Sequence, residues 1–307
     1  MTLTATRRAL LGAVGAVALG GRALAQAPAA PRIVATRLND RLTVFSGAGG
    51  NVGVLAGPEG LLMIDAGLPN TAKALSAAIK ATDARPVKVL LNSHYHLDHV
   101  GMNEMLGRQG VKIVAHEKVG PRLATTFYND AFQRTMEALK PEGLPTETFR
   151  DGGALTFGRD RVEYVHFADA HTDGDAYFFM PEMNVIHAAD LLWEGRWPVV
   201  DYSAEGSLKR MVEGLKALDK VGDEQTRLIP GHGRPSLTKA EVRRIAETWA
   251  TVNERVERLV AEGRTLDEAR AANPTADLDA TVGPNAAAGA ANFLRQAYGG
   301  AVALKKA

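Results

Sequence analysis

The sequence predicts an α/β protein in which two sheets pack face to face and helices cover their outer sides. Two observations carry this prediction. Short runs typical of strands fall into two groups along the chain, and stretches with helical character flank each group. The apolar fraction of 46% in 307 residues is enough for a sizeable core. Because each sheet buries one face against the other sheet, helices are left to cover the remaining faces.

The first group of predicted strands alternates with turn signals rich in glycine. The segment from Gly47 to Gly50 separates the first two strands, either as a simple hairpin turn or as a mobile flap. The strand at residues 87–91 is apolar and runs directly into a cluster of histidines. The predicted elements are strands at residues 42–45, 52–56, 61–64, 87–91 and 111–115, and a helix at residues 71–82.

The second group follows a stretch, residues 117–143, that is predicted to be helical. Its aromatic residues Phe127, Tyr128 and Phe132 either pack between helices or form an apolar wall for a substrate. The later predicted elements are strands at residues 154–157, 162–167, 176–180, 185–187 and 227–229, helices at 207–221 and 239–262, and an alanine-rich helical tail.

The N-terminal residues are predicted to be a signal peptide spanning residues 1–27. Arg7 and Arg8 precede a weakly apolar stretch, and small-residue cleavage patterns end at Ala25 and Ala27. The arginine pair resembles a twin-arginine signal, and a general secretory signal is the alternative. We therefore expect a periplasmic protein whose residues 28–307 form a single domain with helices at its C-terminal end.

Composition excludes several kinds of function. The chain has no cysteine, which rules out disulfides, thiolate ligands, a cysteine nucleophile and a lipoprotein anchor. The net charge is +1, and lysine and arginine are scattered, which argues against a nucleic-acid partner. No second apolar run of membrane length follows the signal, so we expect no membrane span in the mature protein.

The segment from His94 to His99 carries the strongest chemical signal. Extended backbone puts residues i and i+2 on the same side, so His94 and His96 can hold one metal ion. Asp98 and His99 then turn away and can hold a second ion beside the first. Imidazole and carboxylate are the ligands that zinc accepts when no thiolate is available. The segment follows a buried strand, where a rigid scaffold commonly supports a functional loop.

Three later residues are of the same ligand types and lie at the ends of predicted strands. His171 lies in a turn between two strand candidates, Asp190 follows the strand at residues 185–187, and His232 follows the strand at residues 227–229. Glycines beside His171 and His232 let the backbone come close to a metal. Loops at strand ends meet around a common site, so these residues are candidates for the same centre.

This set of residues resembles the metallo-β-lactamase fold superfamily. Asp65, the motif from His94 to His99, His171, Asp190 and His232 occur in the family's order and spacing across most of the mature chain. The resemblance implies a four-layer αββα sandwich with two zinc ions, or iron, at one edge of the two sheets. It implies that Asp65 orients its neighbours without binding metal. The implied ligands of the first metal are His94, His96 and His171, those of the second are Asp98, His99 and His232, and Asp190 bridges the two.

The resemblance also implies a hydrolytic mechanism for a small-molecule carbonyl substrate. Two zinc ions about 3.5–4 Å apart share a water and lower its pKa toward about 7. The resulting bridging hydroxide attacks the carbonyl carbon, and Asp98 orients this nucleophile. No side chain of the protein has to act as the nucleophile.

Departures from the family's subclasses direct the choice of substrate. Asp190 stands where one β-lactamase subclass has a cysteine ligand, and Trp193 stands where that subclass has a lysine for the drug's carboxylate. Another β-lactamase subclass lacks a bridging aspartate. Asp190 is instead similar to the bridging residue of thioester hydrolases of the glyoxalase II type and of lactonases. We favour a β-lactam or lactone ring, with a thioester as the alternative.

Rival functions within the resemblance use the same motif for other chemistry. Persulfide dioxygenases share the histidine motif but use a single iron and dioxygen. Flavin-linked di-iron relatives have a glutamate where His96 stands, and the chain has no flavodoxin-like segment. A nuclease is disfavoured by the predicted export and the scattered basic residues. A binding module without catalysis is disfavoured because all seven ligand positions are intact.

Several other residues have two possible roles. Arg196 follows Asp190 closely, so it either binds a substrate carboxylate or forms a surface salt bridge. His116, His166 and His187 lie on or beside apolar strands and are predicted to be core histidines or neighbours of the ligands.

Overall fold

The computed structural model describes residues 32–306, so the predicted signal peptide lies outside the described residues. The strands are β1 (Val34–Arg37), β2 (Leu42–Ala48), β3 (Gly50–Gly57), β4 (Gly60–Ile64), β5 (Val87–Leu91), β6 (Lys112–His116), β7 (Phe127–Asn129), β8 (Arg134–Met136), β9 (Glu147–Phe149), β10 (Gly152–Phe157), β11 (Asp160–His166), β12 (Ala176–Met180), β13 (Val185–Trp193), β14 (Arg227–His232) and β15 (Leu237–Thr238).

The helices lie in two groups along the chain. The first group comprises α1 (Ala72–Thr82), α2 (Leu97–Val100), α3 (Asn103–Gly107) and α4 (Val119–Leu123). The second comprises α5 (Leu208–Leu218), α6 (Lys239–Ala261), α7 (Leu266–Ala272), α8 (Asp279–Val282) and α9 (Ala286–Lys306). At the start of α6, Thr238 and Glu241 form a reciprocal capping box that satisfies the first amide groups of the helix.

Two mixed sheets form the centre of the molecule. The first has the strand order β1-β2-β3-β4-β5-β6-β9, and the second has the order β10-β11-β12-β13-β14-β15. The alternation of side chains along each strand divides its residues between two faces. In β4, Leu62 and Ile64 point toward the second sheet, where Phe178 and Ile229 belong to the same buried cluster. The contact between the two sheets is therefore an apolar core.

Helices cover the outer face of each sheet. On the first sheet, Leu61 and Met63 of β4 point away from the central core and pack with Leu75 and Ile79 of α1. On the second sheet, residues of β13 pack with α5, α6 and α9. The order of layers is therefore helix, sheet, sheet, helix, and the predicted four-layer αββα sandwich is confirmed.

The prediction of helices across residues 117–143 is wrong for most of that stretch. Only α4 and a single 3₁₀ turn are helical, and β7 and β8 form a small antiparallel hairpin between them. The aromatic residues lie on or beside this hairpin, where Phe127 and Tyr128 have the β propensity typical of such residues. Phe132 occupies the turn of the hairpin and its ring meets the ring of His96 edge-on, with 4.8 Å between centroids.

The second sheet also differs from the prediction near Asp190. Strand β13 runs on to Trp193, so Asp190 lies within it, and the pairing with β14 shifts register on either side of Ala189. Ala189 has a φ of 47°, an unusual left-handed conformation for a residue with a side chain. This irregularity aims the carboxylate of Asp190 at the edge of the sheet. Among residues 32–306, no helix is long and apolar enough to cross a membrane.

Candidate metal centre

Four separate segments bring ligand-type side chains to one edge of the sandwich. The segment from His94 to His99 follows β5, and His171 lies in the connection between β11 and β12. Asp190 and His232 lie on β13 and β14, which are parallel neighbours, so their carboxyl ends meet at the same edge. The structure thus brings together all seven residues that the sequence singled out.

The first group of these side chains consists of three histidines and Asp190. Their ligand atoms lie within 4.8 Å of one another. His96 Nδ1 lies 3.0 Å from His94 Nε2 and 2.8 Å from His171 Nε2. The Asp190 carboxylate lies 3.2 Å from His171 Nε2 and 3.9 Å from His94 Nε2.

The second group consists of Asp98, His99 and His232, and Asp190 contacts it as well. Asp98 Oδ2 lies 3.2 Å from His232 Nε2 and 3.6 Å from His99 Nε2. The two oxygens of Asp190 lie 3.1 Å from His99 Nε2 and 3.4 Å from His232 Nε2. Asp190 therefore lies between the two groups and contacts histidines of both.

Each histidine of the first group has its outer nitrogen fixed by a hydrogen-bond acceptor. His171 Nδ1 donates to the carbonyl oxygen of Val199 at 2.8 Å. His96 Nε2 donates to a carboxylate, that of Asp201, at 2.9 Å. His94 Nδ1 lies 2.9 Å from Ser93 Oγ, whose own proton goes to Asp65. The three inner nitrogens are therefore lone-pair acceptors that face one another, an arrangement that a cation between them stabilises.

The second group has the same character. Asp65 accepts a hydrogen bond from His99 Nδ1 at 2.7 Å, which leaves His99 Nε2 as a lone-pair donor to a metal. His99 Nε2, His232 Nε2 and Asp190 Oδ1 are buried and have no hydrogen-bond partner among the described residues. Buried polar atoms without partners are rare in folded proteins, and these three point at a common place. The donor set fits a pair of metal ions.

Burial and charge set the protonation of the protein groups in this centre. Burial lowers the pKa of His94, His96 and His171 below the ordinary value, which favours the neutral imidazole that binds metal. At His99 and His232, burial acts to lower the pKa, but the negative charges of Asp190 and Asp98 have the larger and opposite effect. They raise the pKa of His99 well above its usual range and that of His232 to about 9. The second group thus attracts positive charge.

Asp201 is a member of this site that the sequence analysis missed. Its buried carboxylate accepts hydrogen bonds from His96 Nε2 at 2.9 Å, Asn129 Nδ2 at 2.8 Å, Ser203 Oγ at 2.6 Å and the hydroxyl of Tyr95. Burial opposes ionisation, yet the hydrogen bond from His96 and the other donors hold the pKa of Asp201 below its usual range. In the sequence, Asp201 merely follows an apolar stretch and has no fixed spacing to the histidine motif.

Two glycines allow the backbone to approach these ligands. A Cβ on Gly231 would lie 1.9 Å from Asp190 Oδ1, and one on Gly50 would lie 2.6 Å from the ring of His99. The segment from Gly47 to Gly50 forms the tight connection between β2 and β3, as the hairpin interpretation expected. Gly49 and Gly50 pack against Asp98 and His99 of the ligand motif. Close approach, as well as turning, is therefore why these positions are glycine.

The three remaining histidines lie outside both groups. His116 stacks on His166 with 3.6 Å between ring centroids, and burial together with His166 lowers the pKa of His116 to about 4. Burial also lowers the pKa of His187 to about 4, and neither ring nitrogen of His187 has a hydrogen-bond partner among residues 32–306. Of the nearby aromatic residues, Trp193 stacks on His232 with 3.9 Å between centroids, and its indole N–H donates to the Asp190 carbonyl.

Fold and site together define a protein of the αββα sandwich class with a candidate metal centre at the edge of its two sheets. The family model described as the metallo-beta-lactamase superfamily matches residues 46–232, and the chain belongs to this superfamily. This match includes every residue of the two ligand groups. The chain is therefore a member of this superfamily with a candidate site for metal.

The chain is similar to a hydroxyacylglutathione hydrolase from Brucella anthropi, with 30% identity over 132 residues. The alignment covers 39% of this chain and 43% of that relative, so the chain spans less than half of the relative's length.

Solved structures share the fold. A metallo-beta-lactamase from Pontibacter korlensis superposes with a TM-score of 0.59 at 19% identity, covering 71% of this chain and 99% of the other. A stereoselective inverting sec-alkylsulfatase from Pseudomonas sp. superposes with a TM-score of 0.63 at 18% identity, covering 87% of this chain and 50% of the other. At such identities the likeness shows the fold alone.

Proposed function

We propose that this protein is a dinuclear zinc hydrolase of small carbonyl compounds. The observation that supports it best is the position of Asp190, whose carboxylate contacts histidines of both ligand groups. A single metal site needs no carboxylate that is shared between two ligand groups. A shared carboxylate would hold two ions at a fixed separation. His94, His96 and His171 would hold the first ion, and Asp98, His99 and His232 the second.

Zinc at these sites would lower the pKa of a water toward about 7 and polarise a carbonyl group. The protein's own contribution is orientation. Asp98 is the most exposed of the candidate ligands, with 28% of its side chain accessible, and it lines the open cleft beside the centre. Its free carboxylate oxygen is the group available to accept a proton from the attacking water. The buried histidines, fixed by their outer hydrogen bonds, keep the lone pairs aimed inward.

The proposed substrates are β-lactam or lactone rings. Asp190 stands where lactonases have a bridging aspartate, and the cleft of about 850 Å³ beside Asp98 has room for a ring and its substituents. A thioester is the second candidate, because the similar protein from Brucella anthropi is a hydroxyacylglutathione hydrolase. All three substrate types present a carbonyl carbon to the same site.

The test is hydrolysis by the purified, zinc-loaded protein with and without a chelator. The substrates are a chromogenic cephalosporin, a simple lactone and an acyl thioester, and metal content is measured on the same samples. We expect turnover of at least one substrate with two zinc ions per chain, lost on chelation and restored by zinc. Asp190→Asn should bind the second ion poorly and lose most of the turnover, by about a hundredfold or more.

Two outcomes would contradict the proposal. Protein with two bound zinc ions that hydrolyses none of the three substrate types would remove the hydrolase assignment. A single bound iron and oxidation of a persulfide that stops without dioxygen would favour the rival dioxygenase. Measuring zinc and iron together with activity separates these cases.

We also propose that residues 1–27 are an export signal, that the mature chain from residue 28 folds as one domain, and that it works in the periplasm. The arginine pair and the small-residue cleavage patterns support this. The intact mass of the protein recovered from the periplasmic fraction checks it, and a full-length mass in the cytoplasm would contradict it.

A further inference from the structure

A cleft of about 850 Å³ opens beside Asp98 and His232. This volume is in the range of sites that take drug-sized ligands. One wall is the segment from Trp193 to Val199, which follows Asp190, and the other is the stretch from Pro284 to Gln296 at the start of α9. The second wall lies beyond residues 46–232 that match the family model. The cleft is therefore shaped by a part of this chain that the family model does not describe.

The two walls are held together by close contacts. A Cβ on Gly283 would lie 2.3 Å from the carbonyl oxygen of Gly195, so the two backbones touch there. Trp197 stacks parallel on Phe293 with 4.7 Å between centroids, and its indole N–H donates to Asp279 at 2.6 Å. The loop that carries Arg196 is thus braced on both sides.

The charges that line the cleft leave one cation without a partner. Its charged side chains are Asp98, which belongs to the metal centre, Glu194 and Arg196. Glu194 is paired with Arg234, whose Nε lies 2.9 Å from its carboxylate. Arg196 is exposed and forms no salt bridge or hydrogen bond through its side chain with any residue of the part of the chain described here. The surface salt bridge that the sequence allowed for Arg196 is not formed.

The other groups of the cleft suit a ligand that is anionic at one end. Trp193 is not available to an anion, since its N–H is bonded to the Asp190 carbonyl and its ring lies on His232. Asn285 and Asn292 are exposed in the opposite wall and present amide donors. A guanidinium binds a carboxylate through two parallel hydrogen bonds, which gives both strength and orientation.

We propose that this cleft takes an acyl compound that carries a carboxylate, and that Arg196 binds this carboxylate while the reacting carbonyl lies at the metal centre. The inference rests on the proposed hydrolase function for the position of the carbonyl. Arg196 is then a specificity-determining residue, and it acts on binding without taking part in the chemical step.

The kinetic test uses two aryl esters of equal length on the zinc-loaded enzyme, 4-nitrophenyl hydrogen terephthalate and 4-nitrophenyl 4-methylbenzoate, because the para-carboxylate cannot attack its own ester. In Arg196→Met, the KM for the terephthalate should rise relative to the KM for the methylbenzoate by about tenfold or more, as expected for the loss of a charged hydrogen bond. Arg196→Lys should recover part of this preference. Arg258→Met is the matched control, because Arg258 is an exposed arginine that lines neither the cleft nor the pocket on the other side of Arg196, and its side chain has no partner among residues 32–306.

A binding test decides the inference without catalysis. Binding of 4-phenoxybutanoate and of its neutral amide is measured by calorimetry. Arg196→Met should lower the affinity for the acid by about tenfold or more relative to the affinity for the amide. Equal affinities of wild type and Arg196→Met for the acid would overturn the inference, whatever the activity. Hydrolysis of both esters with an unchanged KM ratio would also overturn it and leave the hydrolase proposal standing. Selective binding of the acid without hydrolysis of any substrate would support the role of Arg196 in binding a carboxylate and would contradict the proposed hydrolase function.

Discussion

The metal-ligand side chains could be predicted most directly from the sequence, because several of them are close neighbours in the chain. Four of the six residues from His94 to His99 are of metal-ligand types, and this local pattern indicates a metal site without any knowledge of the tertiary structure. The residues that orient them are harder to find. Asp201 lies 105 positions from His96 in the chain, and only folding brings it to the imidazole. A lone aspartate after an apolar stretch carries no periodic or spacing signal, so the sequence could not have assigned it.

Replacement of Asp201 by asparagine should disturb the tautomer of His96. The aspartate accepts only, which keeps the proton on Nε2, whereas an amide can donate to Nε2 and move the proton to Nδ1. Nδ1 faces the other two histidines, so its lone pair would be lost to the metal. We expect the affinity of the first metal site to fall by about 10–100-fold. Metal titration and nitrogen NMR of the imidazole measure the two effects.

Ser203→Ala is the control for this change, because Ser203 also donates to Asp201 but does not contact the imidazole. It should leave the His96 tautomer unaltered. If Asp201→Asn kept both the Nε2 tautomer and the affinity for the first metal, Asp201 would be a structural residue only. Thermal unfolding of both variants shows whether a general loss of stability explains the result.

Helices and strands could be predicted where a run of residues was long enough to show a single hydrophobic period. They could not be predicted where short helices and short strands follow one another. Strand β5 begins and ends where the sequence predicts, because its apolar run is bounded by polar residues and a turn. The stretch at residues 117–143 instead combines α4, the β7–β8 hairpin and a 3₁₀ turn, each too short to show a period. Its aromatic residues favour strands, but a strand of three residues is too short to recognise from propensity alone. In the folded chain the hairpin is fixed by contacts of Phe127 with Tyr95 and of Phe132 with His96.

The β2–β3 connection provides a prediction for an element. In Gly50→Ala the added methyl group would meet the ring of His99, which Asp65 holds from the other side. His99 must therefore tilt, and we expect weaker binding of the second metal together with a loss of about 1–3 kcal/mol in the free energy of unfolding. Gly120→Ala in α4 is the matched control, since its new Cβ meets only Pro145 Cδ at 3.8 Å. Unchanged metal stoichiometry in Gly50→Ala would show that the connection tolerates a side chain and does not set the position of His99.

At the scale of the whole molecule, the layer order followed from the sequence because two sets of strands with flanking helices have few ways to bury their faces. The cleft beside the metal centre could not be predicted from the sequence. Its far wall is the start of α9, and nothing in an alanine-rich tail indicates which face of the sandwich that helix will cover. The loop from Trp193 to Val199 meets the residue Gly283 before α9 through the backbone of Gly195, and it meets α9 itself through Trp197 stacked on Phe293. Neither contact has a spacing in the sequence that would indicate it.

The metal centre joins segments that are far apart in the chain, so metal binding should stabilise the whole sandwich. His94 to His99 extend from the first sheet, whereas Asp190 and His232 belong to the second. Ions that bind only the folded state add about 4 kcal/mol when present at about a thousand times their Kd. For a domain near this size, at about 2–4 °C per kcal/mol, chelation should lower the Tm by roughly 10 °C. Scanning calorimetry with and without chelator measures this, and Asp190→Asn, which lacks the shared carboxylate, should show a smaller decrease. If chelated protein shown to be free of metal melted at the temperature of the loaded protein, the side chains alone would hold the two sheets together at this edge.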